Sequence, residues 1–404
     1  MLVAEVAVIG GGPAGAAAAT TLAAAGRDVV LVDKARFPRD KCCGDGLTVA
    51  ALRELEALGL RPETVPGWQT VEDVYLRSPS GRVVHLPLPR GQGQFAAVVP
   101  RLALDAALVD VARSAGAKVL DGHALRAAAT SDTGVRLEVD GLGALEARYA
   151  IGADGAWSRL RKALGVNVPG YLGDWHAFRQ YFRACGPEAA DLWVWFEPDL
   201  LPGYLWSFPL PGGRANVGFG LERNADFDAH RMAELWPELL QRAHVRHVLG
   251  DAAEPDGPHR AWPIPARVRD VTLTAGGGRA LFVGDAASAT DPLTGEGIAQ
   301  ALLTGRRAAE AVMAAGPDRP SLAARRYEGD VRRALFADHW LGDWLSRGLS
   351  HRKGARIAIR AAGLNGWTRR NFARWLFEDY PRAVLGTPRR WRRGMFAGPG
   401  AFAA

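Results

Sequence analysis

The sequence predicts an α/β protein. Its parts are a Rossmann-like dinucleotide-binding domain built from discontinuous pieces, an α+β second domain and a C-terminal helical region. Three observations carry this. An apolar strand runs into Gly10-Gly11-Gly12-Pro13-Ala14-Gly15 and an Ala-rich helix. Two later apolar segments end in Gly152-Ala153-Asp154-Gly155 and Gly284-Asp285. From Arg325 onward 17 Lys/Arg stand against 6 Asp/Glu, although the whole chain carries a net charge of only +7.

Residues 3–33 read as strand, glycine turn, helix and a second strand, Val29–Asp33. Irregular chain to about Leu47 precedes a short helix near Ala50–Leu58. Residues 70–99 alternate apolar and polar with Pro and Gly breaks, as strands do. Arg101–Ala115 reads as an amphipathic helix and Ala117–Leu120 as a parallel strand. Val135–Val139 and Leu145–Ile151 form a hairpin pattern. The aromatic, alternating stretch 175–220 predicts sheet and 226–250 helix. Ala280–Val283 is a buried strand, Gly297–Ala315 a helix, and basic helices follow from 321. Gly276-Gly277-Gly278 precedes a strand and reads as a turn. The expected boundaries are 1–61, 100–165 and 270–315 for the nucleotide domain, 62–99 and 166–269 for the second domain, and 316–404 for the helical region.

With 404 residues, 48% hydrophobic and 23% charged, the chain is long enough for two cores and reads as soluble and globular. The three cysteines, Cys42, Cys43 and Cys185, are no disulfide framework, so a reducing, cytoplasmic setting is expected. Leu2–Ile9 reads as a buried strand and not as a secretory segment. No apolar run reaches membrane-spanning length, and no Cys/His spacing suits a metal. No nucleic-acid-binding motif accompanies the basic tail, so nucleic acid is not an expected partner. His176, His230 and His339 carry no motif and read as surface or core residues.

The glycine turn has its chemistry spelled out. Gly10 permits a tight turn, Gly12 lets backbone approach a pyrophosphate, and Gly15 allows close helix–strand packing. The helix start offers free N–H groups to the anion. Asp33, followed by Lys34, ends the second strand, where an acid binds ribose hydroxyls. The later segments, Gly152-Ala-Asp154-Gly155-Ala-Trp-Ser158-x-x-Arg161 and Gly284-Asp285-Ala-Ala followed by Asp291-Pro292-Leu-Thr-Gly295-Glu-Gly297-Ile298, occur in order. Together they resemble the FAD-dependent aromatic-hydroxylase superfamily, up to about residue 313. That resemblance implies a hydroxylase-type FAD domain, with Asp285 on the ribityl or pyrophosphate group. It puts the helix after Gly297 beneath the flavin pyrimidine, with its positive end stabilising anionic reduced flavin. Arg101, in Arg-Leu-x-Leu-Asp, and Asp154 match further FAD-contacting positions. No second glycine fingerprint is present, so the electron donor, NAD(P)H or reduced ferredoxin, is expected to dock transiently.

Two segments narrow the resemblance. Lys41-Cys42-Cys43-Gly44-Asp45-Gly46 and Tyr204-Leu205-Trp206-Ser207-Phe208-Pro209, with Gly218-Phe219-Gly220 downstream, are similar to motifs of the geranylgeranyl reductase family. The resemblance implies reduction of isoprenoid C=C bonds by hydride from reduced flavin together with proton delivery. It places Cys43 near the isoalloxazine as proton donor or relay. Lys41 and Arg39, close in sequence, are candidates to modulate that thiol. Tyr204, Trp206 and Phe208 share one strand face by period two; that face lines either a cavity or a core. In a cavity, Tyr204 and Trp206 would stabilise developing cationic charge, and Gly44, Asp45, Phe208 and Pro209 would contact substrate. Gly44 and Gly46 would let backbone run close to the flavin. Cys42 stands where relatives often have Pro, which leaves open which thiol matters. An FAD-dependent monooxygenase (hydroxylase or epoxidase) shares every cofactor motif and stays open as the alternative. A flavin halogenase fits less well, since its Gly-Trp-x-Trp-x-Ile-Pro motif is altered here at two positions.

The tail interleaves its basic residues with Trp340, Trp344, Trp367, Trp375 and Trp391. This suits an anionic membrane surface holding a hydrophobic substrate, with Arg389-Arg390-Trp391-Arg392-Arg393 the first contact. The expected location is then peripheral, on the inner face of the membrane. The plainer possibility is a set of basic helices capping the second domain.

Overall fold

The computed structural model describes residues 1–223, 229–391 and 393–403. Among these, ten α-helices are present: α1 (Pro13–Ala24), α2 (Val49–Ala57), α3 (Arg101–Ser114), α4 (Arg159–Ala163), α5 (Ala229–Gln241), α6 (Ala243–Leu249), α7 (Ile298–Ala315), α8 (Pro320–Leu349), α9 (Arg352–Ala362) and α10 (Gly366–Leu376).

The first sheet has a parallel core in the order Lys118–Asp121, Val29–Asp33, Leu2–Ile9, Gly143–Gly152, Ala280–Phe282. Register pairs Val8 with Leu31 and Ile9 with Gly152. Val6, Val8, Leu31, Ile151 and Leu281 are fully buried, as a sheet covered on both faces requires. The Ala-rich sequence of α1 has a packing reason. A Cβ at Gly305 of α7 would lie 2.0 Å from the Ala14 carbonyl oxygen, so only small residues let α1 and α7 approach this closely.

The expected hairpin is present, with Val135 opposite Ala147. Its outer strand Leu125–Thr130 was not foreseen, nor was α4, which Ser158 caps by accepting the Arg161 N–H. The helical stretch expected at 226–250 divides into α5 and α6, broken at Arg242; residues 226–228 lie outside the described residues, as does the His230 side chain.

The second sheet runs Glu254–Pro255, Trp175–Arg183, Arg214–Glu222, Tyr204–Leu210, Leu192–Trp195, Asp73–Arg77, Val83–Pro87, with Arg260–Ile264 also paired to Trp175–Arg183. Phe178, Phe219 and Leu205 bury one face against Met232, Trp236 and Leu239 of α5. The other face carries Tyr181, Tyr204 and Phe208 toward the first sheet and the C-terminal helices. The basic stretch forms α8, α9 and α10, and the chain then returns to pair Ala401 with Gln94.

Candidate active site

One cavity of about 1360 Å³ runs between the two sheets. It begins at the glycine turn. Gly10 has φ +107°, and a Cβ there would meet the Ala153 carbonyl oxygen at 2.3 Å; one at Gly15 would meet the Gly10 carbonyl oxygen at 1.8 Å. The turn is thus closed by two backbone contacts that no side chain tolerates. Gly12 differs: a Cβ there would meet no backbone, only the ends of Arg39 (Nη2 at 3.6 Å) and Arg101 (Nη2 at 3.9 Å). Both guanidiniums are held by one buried carboxylate, Asp105, which accepts from Arg101 Nε and Nη2 at 2.7 Å and pairs with Arg39 Nη1 at 2.9 Å. Two cations facing free N–H groups at a helix start form a cradle for a diphosphate.

Asp33 Oδ2 accepts the Gly11 N–H at 2.6 Å and Oδ1 the Ala35 N–H at 2.7 Å, so the acid expected at a ribose orders the turn. Lys34 is exposed at the cavity rim. Asp154 lines the cavity, but its oxygens are committed to Ser158 Oγ at 2.5 Å and the Leu160 N–H at 2.9 Å. Asp285 also lines it, with Lys41 Nζ at 3.4 Å. Gly284, Gly295, Gly297 and Ile298 face the same space. Pro292 does not; it packs on Gly342 of α8. These residues fit a bound FAD, with the diphosphate at Gly12 and the ring system toward Cys43 and Gly295–Ile298.

The start of α7 also carries a side-chain acceptor from inside the motif: Glu296 Oε1 accepts the Ile298 N–H at 2.8 Å and the Ala299 N–H at 2.9 Å.

Cys43 and Cys42 both line the cavity and differ in their partners. Cys42 Sγ–H donates to the Arg260 carbonyl at 3.3 Å, and burial pushes its thiol up to about 12. Burial also raises the Cys43 thiol, against the opposing charge of Arg101 and a hydrogen bond from the Asp45 N–H. The cation facing Cys43 is therefore Arg101. Lys41 and Arg39, expected in that role, are engaged with Asp285 and Asp105. A neutral thiol beside a guanidinium can give up a proton and have the resulting thiolate stabilised.

Asp45 is fully buried in a left-handed conformation, φ +66°. Its Oδ2 accepts from Tyr181 Oη at 2.6 Å and Asn216 Nδ2 at 2.8 Å. Burial nonetheless pushes the carboxyl up to about 6. Asn216 further donates to the Cys43 carbonyl at 2.9 Å and accepts from Trp206 Nε1 at 3.1 Å. Asp45 is thus an internal anchor that also lines the cavity.

Tyr204, Trp206 and Phe208 line the cavity from one strand, which settles cavity over core for that face. Their ring centroids are 6.0 and 5.9 Å apart, and Tyr204 Oη donates to the Thr294 carbonyl. Pro209, next along, is buried and does not line the cavity. Gly44 and Gly46 turn their Cβ-less faces to Phe208, at 3.3 and 3.0 Å, so their small size makes room for that ring. Sequence reasoning missed Asp105, Glu296, Tyr181 and Asn216. Asp105 and Glu296 stood inside the quoted motifs; Tyr181 and Asn216 gave no local signal.

A family model described as an FAD binding domain matches residues 3–307. Menaquinone reductase of Mycolicibacterium smegmatis is 37% identical over 336 residues, covering 78% of this chain and 77% of that protein. Digeranylgeranylglycerophospholipid reductase 1 of Methanopyrus kandleri is 33% identical over 321 residues, covering 77% and 80%. The chain belongs to the FAD-dependent geranylgeranyl reductase family. It is accordingly a flavoprotein oxidoreductase. The fold agrees: a geranylgeranyl bacteriochlorophyll reductase-like structure from Thermoplasma acidophilum superposes with a TM-score of 0.81 at 20% identity, over 97% of this chain and all of that one.

Proposed function

We propose that this flavoenzyme reduces C=C bonds in the isoprenoid chain of a prenylated lipid or quinone. The observation that carries the reading is the continuity of the cavity. From the diphosphate cradle it passes Cys43 and the Tyr204–Trp206–Phe208 wall, then ends among Leu349, Ile359, Phe372 and Trp375 of the C-terminal helices. Such a space suits a dinucleotide and a long apolar chain meeting at the thiol. Bound FAD supplies the hydride. The chain's own residues do the rest. The aromatic wall holds an alkene flat and excludes water, and Cys43 Sγ–H delivers the proton while Arg101 stabilises the thiolate left behind. The two sequence relatives carry reductase names whose substrates, menaquinone and digeranylgeranylglycerophospholipid, support the same class. The electron donor is a nicotinamide cofactor or a reduced ferredoxin, docking transiently.

The substrate reaches the cavity from an anionic lipid surface. Trp344 and Ile357 are 61% and 68% exposed, yet both also line the cavity; they mark a mouth on the outer side of α8 and α9. Arg352, Lys353, Arg356 and Arg360 are exposed on α9 beside it. No helix among the described residues is long and apolar enough to cross a membrane, so contact would be peripheral.

The test is anaerobic. FAD-loaded protein is photoreduced and mixed with a prenylated quinone or a geranylgeranyl lipid, and products are weighed by mass spectrometry. A gain of H₂ per bond supports the reading. No gain, with oxygen incorporation on admitting air, would replace it with a monooxygenase.

A further inference from the structure

The chain just after Asp33 carries cations that no acid answers. Lys34 and Arg36 are exposed. The Asp33 carbonyl accepts the His123 N–H at 2.8 Å, the Ala35 carbonyl accepts the Gly122 N–H at 3.1 Å, and Arg36 folds over Gly122. Next along this edge, Arg159 of α4 is exposed and donates to the Leu125 carbonyl at 3.4 Å. Lys162 is exposed three residues on, hence on the same helix face. No acidic side chain pairs with Lys34, Arg36, Arg159 or Lys162 among the described residues. Arg260 adds a further charge, because it shares the carboxylate of Asp40 with the buried Arg179. The diphosphate cradle does not need these groups, since Arg39 and Arg101 already face Gly12.

Between Arg159 and Arg260 stands Trp157, 57% exposed and yet lining the cavity. Its ring lies 4.8 Å from that of Trp262, which also lines the cavity. Lys41 Nζ sits 4.7 Å from the Trp262 ring centre, and the Arg260 carbonyl accepts the Cys42 Sγ–H at 3.3 Å. Packed groups thus lead from the surface to the cysteine turn.

We propose that this edge is the docking surface for an acidic one-electron carrier protein, with Trp157 at its centre. Charge complementarity selects the occupant. A nicotinamide cofactor must bring its ring against the flavin, because hydride transfer needs reacting atoms about 3–3.5 Å apart. It therefore needs a pocket with cations for its phosphates. A second cavity, of about 780 Å³ between α1 and α3, is lined by one acid, Asp110, and by no basic side chain. Cations spread over an exposed edge around an indole suit a protein face, and an electron crosses packed groups that a hydride cannot. Two carriers each give up one electron and are oxidised; the bound flavin gains the pair together with one proton from solvent. The inference rests on the flavin-reductase reading only for its need of a donor.

The experiment is anaerobic stopped-flow reduction of FAD-loaded protein by a reduced, acidic bacterial ferredoxin freed of excess reductant. The rate constant should fall as salt rises. Arg36→Glu, Arg159→Glu and Lys162→Glu together should lower it by roughly tenfold or more at low salt. Arg36→Lys, Arg159→Lys and Lys162→Arg together should leave it near wild type. Photoreduction, FAD content and binding to anionic vesicles should be unchanged in both. Trp157→Ser should slow reduction even at saturating ferredoxin. An equal rate constant in wild type and the charge-reversed variant, or no reduction by ferredoxin at all, would overturn the proposal. So would loss in that variant of reduction by NADPH, of FAD or of vesicle binding, which would give the edge to a nicotinamide cofactor, to the resident flavin or to lipid. Photoreduced protein should still reduce an isoprenoid in every variant; loss of that step with ferredoxin reduction intact would strike the substrate reading instead.

Discussion

Asn216 donates one amide proton to the Asp45 carboxylate at 2.8 Å and another to the Cys43 carbonyl at 2.9 Å. It binds the cysteine turn to the aromatic strands of the second sheet. Its Oδ1 also fixes the Trp206 indole, so one fully buried side chain sets both the thiol and one ring of the slot. Asn216→Leu conserves size but strands the indole N–H and one acceptor site of Asp45. Stability should fall by on the order of 2–3 kcal/mol in urea unfolding, since stranded buried polar groups cost about this much. FAD content should hold while turnover falls. Unchanged stability together with unchanged turnover would show the network to be dispensable.

The two thiols should separate cleanly. Cys43→Ala should lower turnover by roughly 100-fold or more, the usual contribution of a positioned proton donor, with FAD still bound. Cys42→Ala removes only a donor to the Arg260 carbonyl and should change turnover far less. Steady-state rates and flavin absorbance per chain check both. Equal losses would reassign the proton donor.

Asp45 makes stability depend on pH with a definite sign. Its carboxyl is raised to about 6 because burial penalises the charged form. The folded state therefore binds the proton more tightly than the unfolded chain. That contribution is complete below about pH 4 and is lost as pH rises through about 6. Asp45→Asn removes the titration. Between pH 4 and pH 7 the unfolding free energy of the wild type should drop, relative to the variant, by on the order of 2 kcal/mol. A wild-type curve that rises relative to the variant would mean that Tyr181 and Asn216 outweigh burial.

The sequence made the first sheet legible because its signals are local. Strand, glycine turn, helix and acid lie within residues 3–33, and the parallel segments are continuous apolar runs. The aromatic slot was legible for a similar reason, since period two alone puts Tyr204, Trp206 and Phe208 on one face. What stayed hidden depends on long-range contact. Asp45 meets Tyr181 and Asn216 across more than a hundred residues of chain, and no spacing rule links them. The charge near Cys43 was assigned to Lys41 and Arg39 by proximity in sequence. Folding instead sends both to other acids and brings Arg101 to the thiol. At the start of α7 the dipole rule left out the side chain inside its own motif, Glu296, which accepts two of the free N–H groups.

The membrane expectation gains a second candidate surface. Arg390, in the tail cluster first favoured, pairs with Asp338 at 2.8 Å, and the Trp391 indole donates to the Val384 carbonyl at 2.6 Å; Arg392 lies outside the described residues. Trp391 is 56% exposed, and the most exposed apolar residues of the C-terminal region lie on α8–α10 and the turn between the last two. Trp340, Trp344, Ile357, Leu364 and Trp367 are each more than 60% exposed. Indoles settle at headgroup depth and basic side chains meet lipid phosphate, with each basic residue near such a surface contributing about 1 kcal/mol. Reversing Lys353 and Arg356 to Glu should therefore weaken binding to phosphatidylglycerol-containing vesicles by roughly tenfold or more. Reversing Arg389 and Arg393 should do much less. Trp344→Ser with Ile357→Ser should reduce binding and raise KM for a vesicle-borne substrate, because these residues frame the mouth; activity on a short, soluble prenyl substrate should hold. Co-sedimentation across a salt series reads the electrostatic part, which must weaken as salt screens it. Equal partitioning onto neutral and anionic vesicles, or none on either, would reduce α8–α10 to a cap on the second sheet and leave the substrate to arrive through water.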